Sequence, residues 1–110
     1  MKPELAGLLG IARRAGKLQI GFDAVSASIK SRRARLVLLA DDCSPKTAKE
    51  LRFFAESHPC PLTRIPADKA AFSAALGLEK PVAAVSVDDA GFAAAMLKHC
   101  GTEQKEDVAL

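Results

Sequence analysis

The sequence predicts an α/β fold, a single sheet of short strands held between helical layers, and three observations point to it. Segments with the helical spacing of apolar residues alternate along the chain with four short extended segments. One of these, Arg35 to Ala40, is a continuous apolar run of the kind that forms a strand buried on both faces. No repeat or low-complexity linker divides the 110 residues, a length that suits one hydrophobic core. Residues 1–101 are expected to form one domain, and 102–110, polar beyond Gly101, a frayed tail.

The elements follow in order. Pro3 suits a first helical turn, and Leu5, Leu8, Leu9 and Ala12 keep the spacing of one buried stripe until the helix stops near Gly16. Leu18 to Ile20 is extended. After Gly21, Phe22, Val25 and Ile29 form a second stripe that ends in the basic cluster Lys30 to Arg33, where cations suit a helix C-terminus. Beyond the apolar strand, Ser44 and Pro45 start a helix running to about His58, because the hydroxyl caps free amides and proline tolerates the first turn. Pro61 to Ile65 reads as a strand and Ala67 to Leu76 as a helix, with Phe72, Ala75 and Leu76 inward and Gly77 as its C-cap. Pro81 to Val87 is the last strand. Asp88 or Asp89 then caps a helix in which Phe92, Ala95 and Met96 share a face.

Composition narrows the function. The apolar share of 49% comes from Ala, Leu and Val, with five Phe and neither Trp nor Tyr, so stacking on nucleobases is not expected as the main mechanism. No apolar run approaches the roughly 20 residues of a membrane span, and Met1 to Gly10 lacks the basic-then-apolar order of a signal peptide. The protein is expected to stay in the cytoplasm, and Cys43, Cys60 and Cys100, odd in number and widely spaced, are read as reduced thiols with no zinc site. The net charge of +3 conceals an asymmetry. Residues 1–35 hold eight basic and two acidic groups, and the remainder eight basic and eleven acidic. Such separation concentrates positive potential on one side of a fold and favours encounter with a polyanion.

Catalytic chemistry finds little support. Gly10 to Lys17 has five residues between its glycines where a phosphate loop has four, and Leu18 stands where that motif needs Ser or Thr. Asp41 and Asp42 follow a buried strand, but with no third carboxylate or histidine nearby they read as loop and capping residues. His58 with Cys60, and His99 with Cys100, lack an orienting partner. No catalytic residue, metal site or cofactor is expected. The segment Gly16 to Gly21 places Lys17 and a glycine beside a helix start, where free amides meet phosphate without an obstructing side chain; two glycines that simply make turns explain the same pattern.

Leu8-Leu-Gly-Ile-Ala-Arg-Arg-Ala-Gly-Lys17, then Gly21, then Ala34-Arg-Leu-Val-Leu-Leu-Ala-Asp-Asp42, resembles the small bacterial members of the ribosomal protein L-seven-Ae family, the kink-turn RNA-binding superfamily. Val82 to Val87 and Asp89-Ala-Gly-Phe92 fit its closing strand-to-helix step, and the resemblance covers roughly residues 4 to 98. It implies a three-layer α/β/α sandwich with a mixed four-stranded sheet, and RNA binding by the N-terminus of the second helix with a nearby loop. The family follows its glycine with an Asn, a Glu and a Lys that read sheared G·A pairs and phosphates. Here Gly21 matches, while Asp23, Ala24 and Ala27 stand at those three positions. The family's apolar loop beside the RNA corresponds to about Ile65 and Pro66.

Two functions are therefore carried forward. The first is a non-catalytic, monomeric binder of structured RNA, ribosomal RNA among the candidates. Its expected contacts are Arg14, Gly16, Lys17, Gly21, Phe22, Asp23, Lys30, Arg32, Arg33, Ile65 and Pro66. The second is a protein-interaction module that kept the fold and lost kink-turn recognition, consistent with Ala24 and Ala27.

Overall fold

The computed structural model describes residues 1–100; the tail expected at 102–110 lies outside the described residues. Among the described residues five helices and four strands alternate: α1 (Pro3–Arg14), β1 (Leu18–Ile20), α2 (Phe22–Lys30), β2 (Leu36–Leu39), α3 (Pro45–Ser57), β3 (Leu62–Arg64), α4 (Lys69–Leu76), β4 (Ala84–Val87) and α5 (Ala90–Leu97). The strands form one mixed sheet in the order β1-β4-β2-β3. β4 runs antiparallel to both neighbours, pairing Leu18 with Val87 on one side and Leu39 with Ala84 on the other. β2 and β3 are parallel, with Leu39 opposite Arg64.

Side-chain alternation along the strands makes two cores. Leu36 and Leu38 of β2, with Val85 and Val87 of β4, meet Leu5 and Leu9 of α1, Phe72 and Leu76 of α4 and Met96 of α5. Val37 and Leu39 face the other way, against Val25 and Ile29 of α2 and Ala48 and Leu51 of α3. The result is the expected three-layer α/β/α sandwich, with α1, α4 and α5 below the sheet and α2 and α3 above it.

The ends of the elements follow local chemistry. Ser44 Oγ accepts the Thr47 amide at 3.2 Å and Pro45 fills the first turn of α3. Asp89, rather than Asp88, caps α5 by accepting the Phe92 amide at 2.8 Å. The fourth helix begins at Lys69, two residues later than the spacing predicts, because Asp68 caps it through the Ala71 amide. Its buried side chains are Phe72, Ser73 and Leu76, with Ala75 half-buried, and Gly77 ends it in the left-handed conformation at φ 75°. In α5 the buried residues are Ala93 and Met96, while Phe92 and Ala95 are half-buried. The last strand is shorter than Pro81 to Val87: pairing starts at Ala84, and the residues before it form a loop.

Candidate nucleic-acid interface

The glycine at the head of α2 is set by its backbone. Gly21 has φ 96° and ψ 162°, a region essentially reserved for glycine, and it has no side chain to cap the helix it opens. Its amide donates to the Ala84 carbonyl at 3.0 Å, and its carbonyl accepts the Val25 amide at 2.9 Å. The first-turn amides of Phe22, Asp23 and Ala24 therefore head the helix with its positive dipole end behind them.

Pairing of β1 with β4 brings the loop before β4 against this turn. A hollow of about 640 Å³ opens there, walled by Ile20, Gly21 and Phe22 on one side and by Gly77 to Ala83 on the other. Lys80 lies on that loop and is exposed, as is Glu79. Asp23 is exposed beside the hollow, while Ala24 is half-buried and Ala27 exposed, so the outer face of the first two turns of α2 is poor in polar groups.

The residues expected at the site fall into separate places. Gly21, Phe22 and Asp23 stand together at the C-terminal end of β1. Gly16 and Lys17 lie at its other end, where the Lys17 carbonyl accepts the Asp88 amide at 2.8 Å. Arg32 and Arg33 are on the turn after α2, nine helical residues and about 13 Å from Gly21. Arg32 takes the left-handed conformation at φ 65°, and the Arg33 and Ala34 amides close the turn on the Ser28 carbonyl. Both arginines are exposed. Lys30 places its Nζ 4.2 Å over the ring of Phe54 in α3. The Arg14 guanidinium lies back along α1, 3.7 Å from where a Cβ on Gly10 would stand.

Ile65 and Pro66 are at the same end of the sheet as Gly21 but at the far strand, three strand spacings or about 14 Å away. Ile65 is 1% exposed and packed in the lower core, so it presents no surface to a ligand; Pro66 is exposed. The wall beside Gly21 is the Gly77–Ala83 loop, separated from it by some sixty residues of chain. Lys80 was missed for that reason. The signal available was a lysine between a helix-ending glycine and a proline, directly before a strand.

The remaining candidates are the thiols and the loop carboxylates. Burial raises the thiols of Cys43, Cys60 and Cys100, and the nearby Asp88 charge pushes Cys60 further the same way. Asp42 Oδ1 accepts the Lys69 amide at 2.9 Å, a capping role. Among the described residues no three His, Cys, Asp or Glu side chains gather as a metal site, and no helix is long and apolar enough to cross a membrane.

This α/β/α sandwich has counterparts among known proteins. Residues 4–97 match the ribosomal protein L7Ae/L30e/S12e/Gadd45 family, and the chain belongs to it. It is 38% identical over 86 residues to the RNA-binding protein YlxQ of Bacillus subtilis (strain 168), covering 78% of this chain and 84% of that protein. A shorter match, 40% over 45 residues, is to the RNA-binding protein YlxQ of Enterococcus faecium and covers 41% of this chain and 44% of that one. Among solved structures, a protein of unknown function from Bacillus halodurans superposes with a TM-score of 0.80 at 27% identity, covering 88% of this chain and 96% of its own. The Giardia lamblia 15.5kD RNA binding protein shares the fold with a TM-score of 0.76 at 20% identity, covering 88% and 84%.

Proposed function

We propose that this protein is a non-catalytic binder of structured RNA that holds its ligand at the Gly21 end of α2. The observation that carries the reading is the glycine-only backbone of Gly21, which opens a helix without a side-chain cap beside a hollow bordered by Lys80. Helix N-termini of this kind accept phosphate oxygens without side chains in the way. Its Bacillus subtilis relative is named an RNA-binding protein, which supports the same class of ligand.

In this reading Gly21, Phe22 and Asp23 meet the RNA at one end of α2, and Lys17, Arg32 and Arg33 meet phosphates of the same molecule at the other. Arg14, Gly16, Lys30, Ile65 and Pro66 have no direct contact assigned by the geometry. Discrimination between sequences is weak, since Ala24 and Ala27 offer no hydrogen-bonding group to a base edge. If about four to six phosphates are engaged, the logarithm of affinity falls with the logarithm of salt at a slope of about −3 to −5. Ribosomal RNA in the cytoplasm is one ligand of this chemistry, and a kink-turn another.

The test is one double variant in a salt titration. Lys17→Ala with Arg33→Ala is expected to flatten the salt slope by about 2 and weaken all RNAs alike. Unchanged affinity and slope would remove that pole from the interface and leave the Gly21 edge alone. A protein-interaction role on the same fold is favoured by one observation, the exposed Ala27 on the face of α2. It predicts an association that survives nuclease treatment, whereas RNA binding predicts one that nuclease abolishes.

A further inference from the structure

Above the sheet, the α2/α3 face carries an aromatic ring that the core does not need. Phe53 is 62% exposed, more than Ile11 or Leu97, the other exposed large apolar side chains among the described residues. Its neighbour Phe54 is half-buried and packs against the upper core. The two rings meet edge to face, centroids 5.9 Å apart at 62°, which gives the exposed ring a firm support. Both line a hollow of about 710 Å³ with Phe22, Lys46, Lys49 and Glu50.

The charge around that ring is positive. Lys46, Lys49 and Phe53 follow one another at intervals of three and four residues, so they share a face of α3. From α2, Lys30 places its ammonium 4.2 Å over Phe54. Three lysines from two helices therefore surround the aromatic pair, against the single carboxylate of Glu50 among the residues of this hollow. A solvent-facing ring beside lysines is the combination with which proteins hold single-stranded nucleic acid, the base on the ring and the phosphate near the ammonium groups. The groove is also next to the Gly21 edge, since Phe22 lines both hollows.

We infer that the α2/α3 groove takes an unpaired nucleotide of the RNA held at the Gly21 edge, its base stacked on Phe53 and its phosphate near Lys46 and Lys49. This rests on the RNA reading given above and extends it to a second, single-stranded element of the ligand. Charge complementarity selects this occupant: an apolar protein segment would cover the ring and leave the lysines without counter-charge.

The experiment uses the full chain and two RNAs, a kink-turn hairpin with a flush end and the same hairpin bearing a short oligouridine extension. Wild type is expected to bind the extended RNA at least about fivefold more tightly. Phe53→Ala should erase that gain and leave the flush hairpin's affinity unaltered, and Phe53→Trp should keep the gain. An extension that adds nothing for wild type, or a gain that survives Phe53→Ala, overturns the inference. Binding of the extended RNA alone, dependent on Phe53, would keep the groove and remove the Gly21 reading; binding of the flush hairpin with no gain would do the reverse. If sedimentation showed a dimer that Phe53→Ala dissolves, the ring would belong to a second copy and the inference would fall.

Discussion

Ser28 Oγ donates a 2.7 Å hydrogen bond to Oδ1 of Asp88, joining the last turn of α2 to the end of β4. The same oxygen accepts Ser86 Oγ at 3.2 Å, and the Asp88 amide donates to the Lys17 carbonyl at 2.8 Å. One aspartate thus ties β1, β4 and α2 together at the basic pole. Because α2 is a rigid rod, this tie also helps set where its other end, Gly21, stands.

Ser28→Ala should therefore cost stability. The hydroxyl is 0% exposed and its acceptor is a carboxylate, but Asp88 is only half-buried and keeps Ser86, so a loss of about 1–2 kcal/mol is expected. Urea denaturation checks it: the midpoint should fall with the slope unchanged. An unaltered midpoint would show that the bond contributes nothing net.

Gly21→Ala is expected to destabilise by about 1–3 kcal/mol, through backbone strain at φ 96°. No steric clash adds to this, since a Cβ there meets nothing within 4 Å. Gly7 supplies the control. It is exposed within α1 and also has open space around its added Cβ, so Gly7→Ala should stabilise by about 0.5–1 kcal/mol. Thermal unfolding of both variants should give shifts of opposite sign.

The order of helices and strands was legible because local chemistry wrote it. Leu36 to Leu39 is apolar at every position and is buried on both faces, and Ser44 with Pro45 starts α3 where the pattern places it. The site was legible only in part. Gly21 could be singled out, but proximity in sequence misled about its companions: the turn after α2 holds Arg32 and Arg33 about 13 Å away from it. The Gly77–Ala83 wall depends on β1 pairing with β4, a long-range register that no local spacing encodes. Ile65 shows the complementary error, an apolar residue near the right end of the sheet whose burial comes from tertiary packing.

Cys100 makes stability depend on alkaline pH. It is 1% exposed, and burial pushes its thiol from 9.0 to about 11. Between those values the unfolded chain loses the proton and the folded chain keeps it, so unfolding is favoured as pH rises. Stability from this group is fully present below about pH 9 and is lost towards pH 11, by up to roughly 2–3 kcal/mol. Denaturation at pH 8 and pH 10.5 should show the fall, and Cys100→Ala should show less of it. An equal fall in the variant would assign the effect to other groups.

The proposed binding of structured RNA through phosphates and the backbone at the head of α2 is tested by a titration of the nucleic-acid-free protein against a kink-turn RNA and a duplex of equal length at two salt concentrations. The expected result is binding to both, with a salt slope of about −3 to −5 and at most a few-fold preference for the kink-turn, because Ala24 and Ala27 read no base. Failure to bind either RNA at the lower salt would contradict it and move the function to a protein partner on the same fold.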